Sequence, residues 1–296
     1  MQAPVLRLGD TIGLVSPSAI PDPEKMQLIS AALEGQGYRV RLGKNLFAHG
    51  WDYAATDEER AADFTQMALD EDVKLVFFSG GEGADEVLPL LDYTLIAAHP
   101  KRYLSFSDGT SILNTLWSRT GMITYYGQTP GDALKELNSY TWQNFRLHME
   151  QPGLAPHIPS APWRTLRPGE ARGTLMGGYL ENFLYLLYGG WVRVDPAQDY
   201  VLFLEEHEQF FGIPHLSDTL ARLEHSSLMP QVRGLLFGEY SQTPNEQLMA
   251  RLTRFGERFG IPVAYCTDYG HGENHAILPI GASATLDTAK QALCYA

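Results

Sequence analysis

The run Leu104-Ser105-Phe106-Ser107-Asp108-Gly109-Thr110 passes from an apolar, strand-like stretch into a helical pattern, and Ser107 stands at the break. A serine on a tight strand-to-helix turn points its hydroxyl out of the sheet, where a nucleophile can be reached. The residues from Thr110 to Trp117 repeat apolar side chains at helical spacing, which supports that placement. Ser105 and Gly109, two positions to either side, are small where a nucleophile elbow carries glycine, because bulk there hinders packing of strand on helix. The commoner use of a serine at a helix start is as an N-cap, whose hydroxyl accepts an amide hydrogen bond, so position alone leaves both uses open.

Three further segments carry groups that could take part in chemistry. Ser79-Gly80-Gly81-Glu82-Gly83 follows an apolar run and precedes a helical pattern opening with Asp85-Glu86. Its glycines allow a sharp turn with outward amides, which suits a phosphate, an oxyanion or an ordinary βα turn. Glu82 and the lack of a Walker lysine or a full dinucleotide fingerprint weigh against phosphate. Leu202-Phe203-Leu204-Glu205-Glu206-His207-Glu208 ends a strand pattern in carboxylates. At such a strand end Glu205 can orient a histidine, whereas Glu206 and Glu208 read as solvated loop residues. In Asp268-Tyr269-Gly270-His271-Gly272-Glu273-Asn274-His275, two histidines four apart would share a face only on a helix, and the glycines disfavour one. His271 between glycines suits a general base, and no metal is expected.

The elements needed to hold these residues are legible as alternating strands and helices. Strands are expected from Thr11 to Ser16, Tyr38 to Leu42, Leu75 to Phe78, Tyr103 to Phe106 and Ile123 to Tyr126. Helices are expected from Glu24 to Gly35, Asp57 to Leu69, Asp85 to Leu91 and Thr110 to Arg119. Prolines at 152, 156, 159, 162 and 168 then mark an extended linker. Beyond it, further strands (Tyr200 to Leu204, Val232 to Phe237, Pro262 to Cys266) alternate with helices (Leu180 to Leu187, Leu216 to Leu223, Asn245 to Phe259). The stretch from Ala276 to Tyr295 alternates like antiparallel strands. The fold class is therefore α/β: an N-terminal domain with a mostly parallel sheet and flanking helices (1–150), a Pro-rich linker (151–172) and a C-terminal mixed α/β domain with antiparallel strands (173–296).

Composition narrows the partners. Across 296 residues the formal net charge is −13, which argues against nucleic acid or an anionic membrane surface. Two cysteines, Cys266 and Cys294, offer no disulfide framework and suit a reducing compartment, with Cys266 read as a small buried hydrophobe. The start lacks the basic flank and apolar stretch of a signal peptide, and no apolar run spans a bilayer, so a soluble, cytoplasmic protein is expected.

Taken in order, the motifs resemble the LD-carboxypeptidase family of serine peptidases, which includes the microcin-immunity peptidases. The resemblance runs through Gly9-Asp10-Thr11-Ile12-Gly13-Leu14-Val15-Ser16-Pro17-Ser18, Gly80-Gly81, Leu88-Pro89-Leu90-Leu91-Asp92-Tyr93, Phe106-Ser107-Asp108, Gly177-Gly178, Leu204-Glu205-Glu206, Gly270-His271-Gly272 and Leu278-Pro279-Ile280-Gly281. It implies Ser107 as nucleophile, His271 as general base and Glu205 as orienting carboxylate, with backbone amides near Gly81 and of Asp108 as the oxyanion hole. It also implies a site between two domains, no cofactor or metal, a cytoplasmic homodimer, and a small peptide or muropeptide substrate cut near its C-terminus during cell-wall recycling. A peptidyl-nucleotide amide, as for the microcin-immunity branch, and non-catalytic muropeptide binding are the alternatives. Two segments depart from the recycling enzymes: Ser79-Gly80-Gly81-Glu82-Gly83 replaces Arg-Gly-Gly-Tyr-Gly, and Tyr126-Gly127-Gln128-Thr129-Pro130 replaces a His-Gly-Pro pattern. Glu82 is thereby expected at the mouth of the cleft, so substrate choice is affected more than chemistry.

Overall fold

The computed structural model describes residues 3–50, 53–78, 80–128 and 139–296; Ser79, Thr129 and Pro130, named above, lie outside them. The chain divides into two compact units, Met1–Gly153 and Leu154–Ala296.

Unit 1 is built on five strands: β1 (Thr11–Val15), β2 (Arg39–Leu42), β3 (Val73–Phe78), β4 (Arg102–Ser105) and β5 (Thr124–Tyr126). They pair in parallel in the order β5-β4-β3-β1-β2. Every residue of β1 and β4 is buried, as parallel strands covered on both faces require. The strand order reverses between β1 and β3, and in such sheets ligand crevices open beyond the carboxyl ends near that point. The helices are α1 (Pro23–Gly35), α2 (Asp57–Leu69), α3 (Ala84–Val87), α4 (Tyr93–Ala97), α5 (Thr110–Thr120) and α6 (Tyr140–Phe145). Helix α2 begins where Thr56 and Glu59 each accept the other's backbone amide, a reciprocal capping box. The helix expected from Asp85 to Leu91 is instead α3 followed by a 3₁₀ turn at Leu88–Leu90. Pro89 lacks the amide that would continue the α pattern.

Unit 2 holds β6 (Arg164–Arg167), β7 (Glu170–Tyr179), β8 (Tyr200–Glu205), β9 (Val232–Glu239), β10 (Val263–Gly270), β11 (Leu278–Ile280), β12 (Ser283–Asp287) and β13 (Ala292–Tyr295). Seven of these form one sheet in the order β13-β12-β7-β8-β9-β10-β6. The four central strands, β7 to β10, run parallel, and antiparallel strands close both sides. Its helices are α7 (Leu180–Tyr188), α8 (Ile213–Glu224) and α9 (Glu246–Phe259). All six residues of β8 are buried.

One expectation needs correction. From residue 154 onward, the Pro-rich stretch read as a linker is part of unit 2. The buried Asp268 carboxylate on β10 gathers it by accepting from the Ser160 amide (2.8 Å) and hydroxyl (2.6 Å) and from the Trp163 indole N–H (2.7 Å). His157 Nε2 stands 2.8 Å from the same carboxylate, and β6 adds a strand beside β10. Proline fixes φ and removes donors, but the side chains between the prolines remain free to dock.

Candidate active site

In unit 1, Ser107 follows β4 and opens a 3₁₀ turn, Ser107–Gly109, that leads into α5. Its φ is +55°, a left-handed conformation rare for a residue with a side chain and frequent at functional turns. Helix α5 is capped by Gly109, which has no side chain to offer, so Ser107 is not the N-cap of that helix. The small flanking residues are needed as the sequence suggested. A Cβ on Gly109 would fall 2.0 Å from Ser105 Oγ. That hydroxyl donates to the Phe78 carbonyl at 2.7 Å, tying β4 to the end of β3.

The loops after β1 and β3 converge on this turn. The Asp108 carboxylate accepts from the Ser18 hydroxyl at 2.6 Å and from the Ala84 amide at 2.9 Å. The Ser107 amide donates to the Tyr126 hydroxyl at 3.0 Å. Gly80 approaches so closely that its Cβ would lie 3.1 Å from Ser107 Cβ. Gly81 has φ +136°, and a Cβ there would meet that of Ala19 at 2.6 Å. Glu82 is exposed in the same loop. A residue the sequence did not flag, Arg60 on α2, is 1% exposed and holds both loops. Its guanidinium donates to the carbonyls of Pro17 and Gly83 and to Glu86. Asp85 lies beneath, its carboxyl pushed up to about 6 by burial and by the neighbouring Asp108, against a Ser111 hydrogen bond.

In unit 2, Glu205 ends β8 and His271 directly follows β10, so parallel strands bring both to the carboxyl edge of the sheet. His271 Nδ1 stands 2.9 Å from Glu205 Oε2, and the carboxylate is fully buried. Burial lowers the proton affinity of the ring, but the adjoining Glu205 carboxylate, its hydrogen bond and the charge of Glu206 leave His271 above the ordinary histidine value. Around the imidazole pack Phe210 (ring centroids 5.0 Å apart), Tyr179 (5.6 Å) and His207 (6.1 Å). Glu206, expected in solvent, is instead fully buried, because the chain leaving β8 continues inward as far as His207; Glu208 is exposed as expected. Cys266 is buried, and burial pushes its thiol up. Among the described residues no group of three or more His, Cys, Asp or Glu side chains could hold a metal ion, and no helix is long and apolar enough to cross a membrane.

Ser107, Gly81, Glu82 and Asp108 thus belong to unit 1, and the hydrogen-bonded Glu205 and His271 to unit 2. Models of the LD-carboxypeptidase N-terminal and C-terminal domains match residues 12–127 and 172–286. The chain belongs to the LD-carboxypeptidase family. Over 297 residues it is 28% identical to a probable murein peptide carboxypeptidase of Bacillus subtilis, covering 97% of this chain and 91% of the relative. It is 24% identical over 318 residues to the microcin C7 self-immunity protein MccF of Escherichia coli, covering 95% and 92% of the two chains. Among solved structures, an MccF-like protein of Bacillus anthracis shares the fold at a TM-score of 0.90 and 22% identity, covering 99% of this chain and 98% of that one. Family membership makes this protein a peptidase of the serine type, with an α/β fold in both halves.

Proposed function

We propose that this protein is a serine carboxypeptidase that hydrolyses an amide near the C-terminus of a small peptide, with Ser107, His271 and Glu205 as its catalytic triad. The observation that carries the reading is the 2.9 Å hydrogen bond between buried Glu205 and His271 Nδ1. With Nδ1 engaged, proton transfer falls to Nε2. The ring takes the Ser107 proton as Oγ attacks the carbonyl, then returns it to the leaving amine as the C–N bond breaks. Water, deprotonated by the same ring, then releases the acyl group from Ser107. Backbone amides near Gly81 and of Asp108 act as oxyanion donors, and the Arg60 clamp on the loops after β1 and β3 supports that role by fixing the backbone before charge develops.

The substrate in this reading is a muropeptide, as the name of the Bacillus subtilis relative suggests, cut at an LD bond, as the family's description suggests, by a cytoplasmic homodimer that needs no metal. A peptidyl-nucleotide amide is the second reading, favoured by the likeness to MccF. Mass spectrometry of a muropeptide panel and of an aminoacyl-nucleotide analogue, each incubated with the protein, separates them. Loss of the terminal D-alanine supports the first, and release of the nucleotide the second.

A further inference from the structure

A second buried acid stands beside the His271–Glu205 pair. Glu206 is fully buried, and its Oε1 accepts from the His207 amide at 3.0 Å. The Tyr179 phenol also hydrogen-bonds this carboxyl, while Oε2 has no hydrogen-bond partner among the described residues. Tyr179 ends β7 opposite Glu205 in the register with β8, and its ring packs edge-on against His271. One tyrosine therefore touches both the buried acid and the base.

We propose that Glu206 is a positioning residue that sets the proton affinity of His271, with Tyr179 holding its carboxyl in place. The proposal rests on His271 being the general base. A charge on Glu206 favours the imidazolium that forms when the ring takes a proton, and a neutral Glu206 withdraws that support. The groups facing the carboxyl are Glu205 on β8, Tyr179 on β7, Glu181 on α7 with its partner His215, His207 and Glu208 on its own segment, Tyr240 and His271. Burial pushes Glu206 up to about 7, while Tyr179 and the His207 amide hold it back and Glu205 and Glu181 push it further. The charge on Glu206 is one of the groups that raise His271, so the titrations of the two are coupled.

The test is the NMR titration of the His271 ring in wild type, Glu206→Gln, Tyr179→Phe and the double variant, with the signal assigned by its loss in His271→Gln. In wild type the curve should be broadened or two-stepped. Glu206→Gln should give one clean step with a midpoint lower by about one pH unit, the effect of removing one neighbouring charge. Tyr179→Phe removes a donor to the charged form, keeps Glu206 neutral to higher pH and should move the midpoint the same way. In the double variant it should add nothing. Equal midpoints and shapes in wild type and Glu206→Gln overturn the proposal, as does an additive Tyr179→Phe effect. Because this readout needs no turnover, it is separate from the test of the base assignment itself, which fails if His271→Gln keeps wild-type kcat/KM.

Discussion

Gly109→Ala tests the construction of the nucleophile turn. Gly109 has an ordinary helical φ of −59°, so the substitution introduces no backbone strain and its whole effect is steric. The new methyl would sit 2.0 Å from Ser105 Oγ, 2.6 Å from Ser105 Cβ and 3.1 Å from Phe78 Cε2, the first falling roughly 1.4 Å short of ordinary contact. Ser105 is fully buried and hydrogen-bonded to the Phe78 carbonyl, so it has no open space to enter and the turn itself must shift. Overpacking of this kind costs about 3 kcal/mol. For a unit of this size that lowers Tm by roughly 6–12 °C. A shift of about 1 Å at a reacting group costs on the order of a hundredfold in rate. Adding Ser105→Gly removes the obstructing side chain and should restore much of both losses, although Ser105→Gly alone costs about 1 kcal/mol for its hydrogen bond. Thermal melts and kcat/KM for the four proteins of this cycle measure the coupling. Additive effects of the two substitutions, or a Gly109→Ala protein with wild-type Tm and turnover, would refute the packing argument.

Other perturbations probe the remaining parts. Ser107→Ala should lower turnover by roughly a thousandfold or more with Tm nearly unchanged, read by initial rates and calorimetry. Activity should survive EDTA and rise with pH above the ordinary histidine value, since His271 must be neutral to accept the serine proton; a loss restored by zinc would contradict this. Because His271 is raised in the folded state, its pairing with Glu205 stabilises fully below the unfolded histidine value and fades as pH rises through the folded one. The Tm deficit of Glu205→Gln should therefore be larger at about pH 5.5 than at about pH 8.5. Glu82→Gln should raise kcat/KM for a peptide acid over its amide by roughly threefold to tenfold, less at high salt, and an unchanged acid-to-amide ratio would show that Glu82 faces away.

The elements that position the site were legible because their signals are local. Ser107 lies where an apolar run gives way to helical spacing, and Glu205 and His271 each lie at the end of a β-rich run beside residues that break it. Glu206 was misread because alternation after a strand end has no fixed period, and only the path of the chain after β8 buries it. Arg60 sits on the second turn of an amphipathic helix, where arginine is ordinarily solvated, and its partners are carbonyls 43 and 23 residues away that no pattern announces. The stretch from 154 to 167 was read from its prolines alone, although its docking depends on Asp268, about 100 residues later.

The most direct measurement is mass spectrometry of a muropeptide tetrapeptide incubated with wild-type protein and with Ser107→Ala. On the proposed mechanism the terminal D-alanine is lost with wild type and retained with Ser107→Ala. An intact tetrapeptide with active wild-type preparations, or equal cleavage by the two proteins, would contradict it.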